Sequence, residues 1–372
     1  MTLRALLTGV LLGAWGLSAQ QLSQPEVLTL PGGGAVATGD LNRDGKPDIV
    51  AAHANAVTIY LGDGRGRFER AAGSPFAAGN GPADLALGDF NEDGQLDIAV
   101  ANHETDYLTL LSGDGKGKLA PPVHLPVPSR PHPHGVAAGD FNGDRHLDVA
   151  VESWERDAVL VLHGSGDAGF AKEPQRLAVG RKPYYKLRAG DLNSDGKADL
   201  VTTNGDGSSV SALCTDRTGG LQPAKEIAIA RSPFAVAIGD VTGDRYPDLA
   251  VAHRWGGVDP TLDGLTLLVG RGDCTFAATP ESPMKTGASP TAVAIADFDG
   301  DGIGDIAVAN MGSNNVTVLL GSRTGLRPAQ ASPFAVGEGP TSIALGDLNG
   351  DGRADIVTGN GGSRNVSVVL SP

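Results

Sequence analysis

The sequence predicts an all-β chain folded as a seven-bladed β-propeller, four antiparallel strands to a blade. Three observations predict it. A nine-residue stretch, DLNRDGKPD at Asp40, returns six more times with starting points 49, 51, 51, 49, 57 and 50 residues apart, a period that marks a repeat architecture. Each period carries short apolar runs broken by Gly, Asn and Asp, with no helical periodicity of useful length. The terminal segments are complementary: the seventh repeat stops at its third strand, Val366–Leu370, and the segment Glu26–Leu30 offers an unpaired one. Pairing the two in the last blade closes the ring and satisfies both edges.

Within a repeat the elements follow in a set order. A short alternating strand precedes the nonapeptide, as at Leu85 and Leu87 or Val236 and Ile238. A second apolar strand follows it, such as Asp48–Ala52 or Asp305–Ala309. A turn rich in Asn and Gly leads to the third, as in Val57–Leu61, Leu108–Leu111 and Val316–Leu320. A hairpin such as Gly62-Asp63-Gly64 or Gly113-Asp114-Gly115 then opens a fourth, more polar strand.

The nonapeptide itself carries chemistry. Acidic or amide side chains at positions 1, 3, 5 and 9, with a glycine at position 6, wrap the chain around a hard cation and offer it only oxygen, which selects calcium. The candidate ligands are Asp40, Asn42, Asp44 and Asp48; Asp89, Asn91, Asp93 and Asp97; Asp140, Asn142, Asp144 and Asp148; and Asp191, Asn193, Asp195 and Asp199. They continue with Asp240, Asp244 and Asp248; Asp297, Asp299, Asp301 and Asp305; and Asp347, Asn349, Asp351 and Asp355. An EF-hand reading fails, because the ninth residue is aspartate, and strands rather than helices flank the loop. The third loop, 140–148, has Arg145 where glycine is expected, and the fifth, 240–248, has Arg245 there and Thr242 at position 3. Five to seven Ca²⁺ are therefore expected, with these two sites the weakest.

The charge agrees. The chain has 43 acidic and 29 basic residues, a net charge of −14, which disfavours nucleic acid or an anionic membrane as partner. About half of the acidic residues lie in the loops, and seven Ca²⁺ would offset nearly all of the net charge. Metal binding is thus expected to be coupled to folding.

Residues 1–19 read as a secretory signal peptide: Arg4, an apolar run from Ala5 to Leu17, and a small residue, Ala19, at the cleavage point. No later segment is apolar for long enough to span a membrane. The mature chain, 20–372, is expected to be a secreted or periplasmic propeller. Cys214 and Cys274 fall in equivalent turns of blades four and five on the metal side, where export permits a bridge that the sequence alone leaves open.

The stretch Gly88–Asn102, GDFNEDGQLDIAVAN, and the later Asn315–Gly321, NVTVLLG, resemble the FG-GAP or VCBS-type repeat of many secreted bacterial proteins and, more distantly, the propeller of integrin alpha subunits. The resemblance covers roughly Gln24 to Pro372. It implies metal loops between the first and second strands of each blade and ligands taken on the opposite face. It names no ligand.

On that opposite face the connections of blades two to five are rich in aromatic and charged residues. The candidates are His103, Glu104, Tyr107, His132, His134, Glu152, Trp154, Tyr184, Tyr185, Lys186, Arg188, His253, Arg254 and Trp255. Such a sector suits a polar ligand with apolar faces, of which a sugar is the familiar example. Arg188 stands where other first strands carry alanine, and so points to a neighbouring blade or the central channel. The Asn that ends several second strands (Asn102, Asn204, Asn310, Asn360) reads as a turn-former. No catalytic motif is present. The expected role is a binding or scaffolding module for an extracellular glycan or protein; the alternative is a lyase or glycosidase using Glu104, Glu152 or Glu155 with Arg254 or Lys186.

Overall fold

A computed structural model describes residues 27–127, 133–216, 218–229, 232–254, 263–330 and 332–371. The predicted signal peptide therefore lies outside the described residues, as do His132, Trp255 and the side chain of Tyr185.

Seven antiparallel sheets follow one another in chain order. Blade two is representative, with strands Pro82–Gly88, Asp97–Asn102, Tyr107–Leu111 and Val123–Pro126. The first strands, among them Val36–Gly39, Pro82–Gly88, Val136–Gly139 and Pro183–Gly190, contact one another in sequence around the ring, and the strand Pro340–Gly346 returns to Val36–Gly39. They line a central channel. Closure comes from the strand Val27–Pro31, which pairs antiparallel with Asn365–Val369 and becomes the outermost strand of blade seven. The strand Asn365–Val369 is thereby paired on both sides.

The second strands explain how the ring is held. Asp97–Asn102, Asp199–Asn204, Asp305–Asn310 and Asp355–Asn360 are buried along their whole length. A strand covered on both faces reads as a continuous apolar run, and DIAVAN does. Accordingly, the core is not one mass but seven layers, each between two blades. Val50, Val57 and Ile59 of blade one pack on Leu85, Ile98 and Val100 of blade two, and Ile49, Tyr60 and Val36 pack on Leu348, Val357 and Val368 across the seam. The remaining five layers repeat this between successive pairs.

Cys214 and Cys274 form a disulfide with a Cα–Cα distance of 6.6 Å. It joins the third-strand exit of blade four to the hairpin of blade five. Among the described residues no helix is long and apolar enough to cross a membrane, and the one helical element is a single 3₁₀ turn, Trp154–Arg156.

Candidate functional site

The nonapeptides connect first to second strands and lie together on one face. Their fold is the same in all seven. The residue at position 6 donates its N–H to the aspartate at position 1, at 2.7–2.9 Å. Position 7 donates to the aspartate at position 5. This wrapping requires a left-handed backbone at positions 4 and 6. Loops three and five put Arg145 (φ 76°) and Arg245 (φ 75°) into the second of these conformations, and both carry glycine at the first, Gly143 and Gly243. The two arginines thus leave the loop shape unchanged at the cost of backbone strain.

Position 9 has a role that the ligand pattern did not suggest. Asp48, Asp97, Asp148, Asp199, Asp248, Asp305 and Asp355 are each 0 % exposed. One carboxylate oxygen accepts the N–H of loop position 2, as from Leu41 at 2.9 Å and Phe90 at 3.1 Å. The other accepts an N–H at the exit of the third strand, as from Gly62 at 2.9 Å and Gly113 at 2.8 Å. Each aspartate therefore clasps three parts of its blade. Burial pushes the Asp48 and Asp305 carboxyls up to about 6. In blade six, oxygens of Asp297, Asp299 and Asp305 lie within 4.8 Å of one another, and the nearest cation, Arg327, is 3.6 Å from Asp299. The donor set of this cluster is oxygen throughout, the kind that suits a hard cation.

The opposite face has a cavity of about 340 Å³ at the mouth of the central channel. Its rim takes one residue from the start of the first strand in six blades: Gly34, Ala83, His134, Phe234, Thr291 and Thr341. Lys186, His103 and Arg254 complete the wall. Register explains why Lys186 reaches it. Between Pro183 and Leu187 the first strand of blade four bulges while its partner advances only from Asn204 to Thr202. The bulge in blade two is smaller, Pro82 to Asp84 against Asn102 to Ala101. A larger bulge re-aims the side chains within it, here Tyr184 and Lys186.

Just below the rim, blades one, five, six and seven carry small cross-strand pairs: Ala35 and Ala52, Ala235 and Ala252, Ala292 and Ala309, Ser342 and Gly359. Blades two, three and four replace them with charge at the same level: Asp84, Glu152 and Lys186. Lys186 Nζ lies 3.2 Å from Asp84 Oδ1, and Arg188 Nη1 donates to Asp84 Oδ2 at 2.9 Å. Burial opposes the charge on Asp84, but Arg188 and Lys186 outweigh it and hold its carboxyl below the ordinary value. Burial lowers the Lys186 ammonium against the pull of Asp84. Glu152 accepts from Gly135 N–H and from Thr202 Oγ1, both at 3.0 Å, yet burial still pushes it up to about 7.

Beside the cavity runs a line of rings. The centroids of His103 and His134 are 4.3 Å apart, those of His134 and Tyr184 4.1 Å, and those of Tyr184 and Trp154 6.2 Å. Lys182 Nζ sits 3.5 Å from the Trp154 ring centroid. Of the sequence-nominated residues, His103, His134, Trp154, Tyr184, Lys186, Arg188, Glu152 and Arg254 thus fall in or around one site. Three described ones do not. Glu104 lines a separate open groove of about 900 Å³ over blades seven, one and two. Tyr107 packs on His124 at the outer edge of blade two. His253 is 1 % exposed and its Nε2 lies 2.7 Å from Thr266 Oγ1. That contact repeats in blades two and seven, where Asn102 donates to Thr109 and Asn360 to Ser367. The strand-ending Asn residues are therefore clamps between second and third strands as well as turn-formers. Asp84 was missed. Its signal is present in the sequence, a carboxylate where aligned repeats have Ala, Ser or Gly.

A model of the FG-GAP-like repeat matches residues 40–100, 89–151, 191–251, 240–308 and 297–358. The chain belongs to the FG-GAP-like repeat family. Among solved structures, this FG-GAP protein is similar to a lectin of Agrocybe aegerita that recognises non-reducing terminal N-acetylglucosamine (18 % identity, 84 % of this chain and 81 % of that one, TM-score 0.55). It is also similar to a putative 6-phosphogluconolactonase of Bacteroides uniformis (16 % identity, 85 % and 89 % covered, TM-score 0.63). At these identities the likeness concerns the propeller fold. No curated protein sequence matches the chain.

Proposed function

We propose that this FG-GAP propeller is a calcium-stabilised binding module that works outside the cytoplasm and takes a glycan on the face opposite its metal loops. The observation that carries the reading is the run of rings His103, His134, Tyr184 and Trp154 across three blades beside the channel mouth. Rings set beside polar donors stack on the apolar faces of a sugar while the donors meet its hydroxyls. The fold it shares with a lectin supports an architecture compatible with that use.

Calcium is assigned to the loops by their oxygen-only donors and by the crowding of Asp297, Asp299 and Asp305. Asp side chains, Asn where the loop has one, and backbone carbonyls of each nonapeptide would hold the ion, whose charge would relieve the repulsion among them. The disulfide supports an oxidising compartment, as does the signal-peptide reading of residues 1–19. A lyase or glycosidase is the weaker alternative, because among the described residues no Asp or Glu lines the cavity and Glu152 below it already accepts two hydrogen bonds.

The test is a glycan array probed with the calcium-loaded mature protein and with its Trp154→Ala and Tyr184→Ala variants. Binding that weakens in both variants is expected. Glycan binding that survives both would move the site elsewhere, and absence of binding by folded protein would remove the glycan reading.

A further inference from the structure

The mouth cavity has a charge that its surroundings do not explain. We propose that it takes the anionic group of a small polar ligand, the carboxylate of a sugar acid or the phosphate of a sugar phosphate, held by Lys186 and Arg254. The inference rests on the binding-module reading and narrows it to a class of ligand.

Three cations, Lys186, Arg188 and Arg254, stand in or just under the cavity, and Asp84 is the carboxylate paired with the first two. Glu152, the remaining described acid at that level, is pushed up to about 7 by burial and so brings little negative charge in mildly acid solution. A local positive excess is the opposite of what a chain of net charge −14 presents elsewhere. Inside a low-dielectric mouth such an excess attracts and orients an anion.

The donors are also incompletely used. Lys186 is 4 % exposed and makes one hydrogen bond among the described residues, to Asp84. An ammonium has three N–H donors. Arg254 lies over the Phe234 ring, 5.0 Å from guanidinium carbon to centroid. It has no hydrogen bond or ion pair with any described residue, and its buried Nε lacks an acceptor. Stacking holds the guanidinium plane in place while its edge stays available, which is the geometry that recognises a carboxylate or phosphate. The cavity, about 340 Å³, is at the small end for ligand sites and suits one sugar unit rather than a chain buried along its length. Phe234, His103 and His134 give it apolar walls.

Calorimetric titration of the calcium-loaded mature protein with galacturonate and galactose, and with glucose 6-phosphate and glucose, tests this. At least one acid is expected to bind about tenfold or more tighter than its neutral parent, to weaken with added salt, and to lose about tenfold or more in Arg254→Gln. Whichever acid binds identifies the carboxylate or the phosphate as the group recognised. Lys186→Met should act the same way but takes from buried Asp84 one of its two cations, so Arg254→Gln, which orphans no described partner, carries the test. Neutral parents that match the acids, or an acid that keeps its affinity in Arg254→Gln, would overturn the proposal and leave the glycan reading standing. Array binding with no response to any of these acids would also overturn this proposal alone, whereas silence in both experiments would overturn both.

Discussion

Lys186 Nζ of blade four lies 3.2 Å from Asp84 Oδ1 of blade two, so an ion pair spans the inner edge of the blade between them. Blade three has Gly135 at the same level. A Cβ there would meet Leu187 N at 2.6 Å and the Glu152 carboxyl at 3.0 Å. The missing side chain in blade three therefore admits the close approach of the blade-four strand at Leu187 and of the Glu152 carboxyl.

Breaking this pair from one side should be costly. Asp84→Ala is expected to destabilise the calcium-loaded protein by about 3–5 kcal/mol, because it leaves Lys186 buried without its partner. The double variant Asp84→Ala/Lys186→Ala, which restores the alanine of blades one, five and six, should recover most of that loss in urea unfolding. A double variant as unstable as Asp84→Ala alone would show that the pair is not the reason.

Glu152 makes stability depend on pH. Its folded pKa is raised from 4.5 to about 7, chiefly by burial, with Asp84 and Lys186 as the charged groups facing it. Between those values the folded protein keeps a proton that the unfolded chain has released, so this carboxyl's contribution is greatest below pH 4.5, falls as pH rises to about 7, and then stays level. Glu152→Gln should remove that slope. Identical pH profiles of wild type and variant, both saturated with calcium, would count against the assignment.

Arg145 and Arg245 occupy left-handed backbone that glycine fills in the other loops. Arg145→Gly and Arg245→Gly should each stabilise the fold by about 1 kcal/mol, offset in part by the freer unfolded chain. The reciprocal change, Gly45→Ala, places its Cβ in open space, so its cost is backbone strain alone and should be of similar size. Thermal unfolding of the three variants decides it, and an unchanged Arg145→Gly would remove strain from the account.

Chelation should lower the melting temperature, and calcium, not magnesium, should restore it, since the loops offer many oxygens rather than an octahedral cage. Each site contributes about 2.7 kcal/mol when free ion exceeds its dissociation constant a hundredfold. A melting curve indifferent to chelator would take calcium out of the proposal.

The number of blades, their strand order and the closing strand are all legible in the chain, because a repeat of about fifty residues writes the same local rules seven times. The shared fold of the loops is legible for the same reason, whereas the buried clasp made by their ninth residue is not. What the tertiary structure alone decided is which residues meet across blades. The nominated face separated into a channel mouth that gathers His103, His134, Lys186 and Arg254, a groove beside Glu104, and a clamp made by His253. The Cys214–Cys274 bond was decided the same way, since adjacency of two turns in neighbouring blades does not fix the distance between them. Asp84 and Lys186, 102 residues apart, are brought together by ring closure and by the larger bulge in blade four. Neither has a periodic signature, so only the folded ring could show that they are partners.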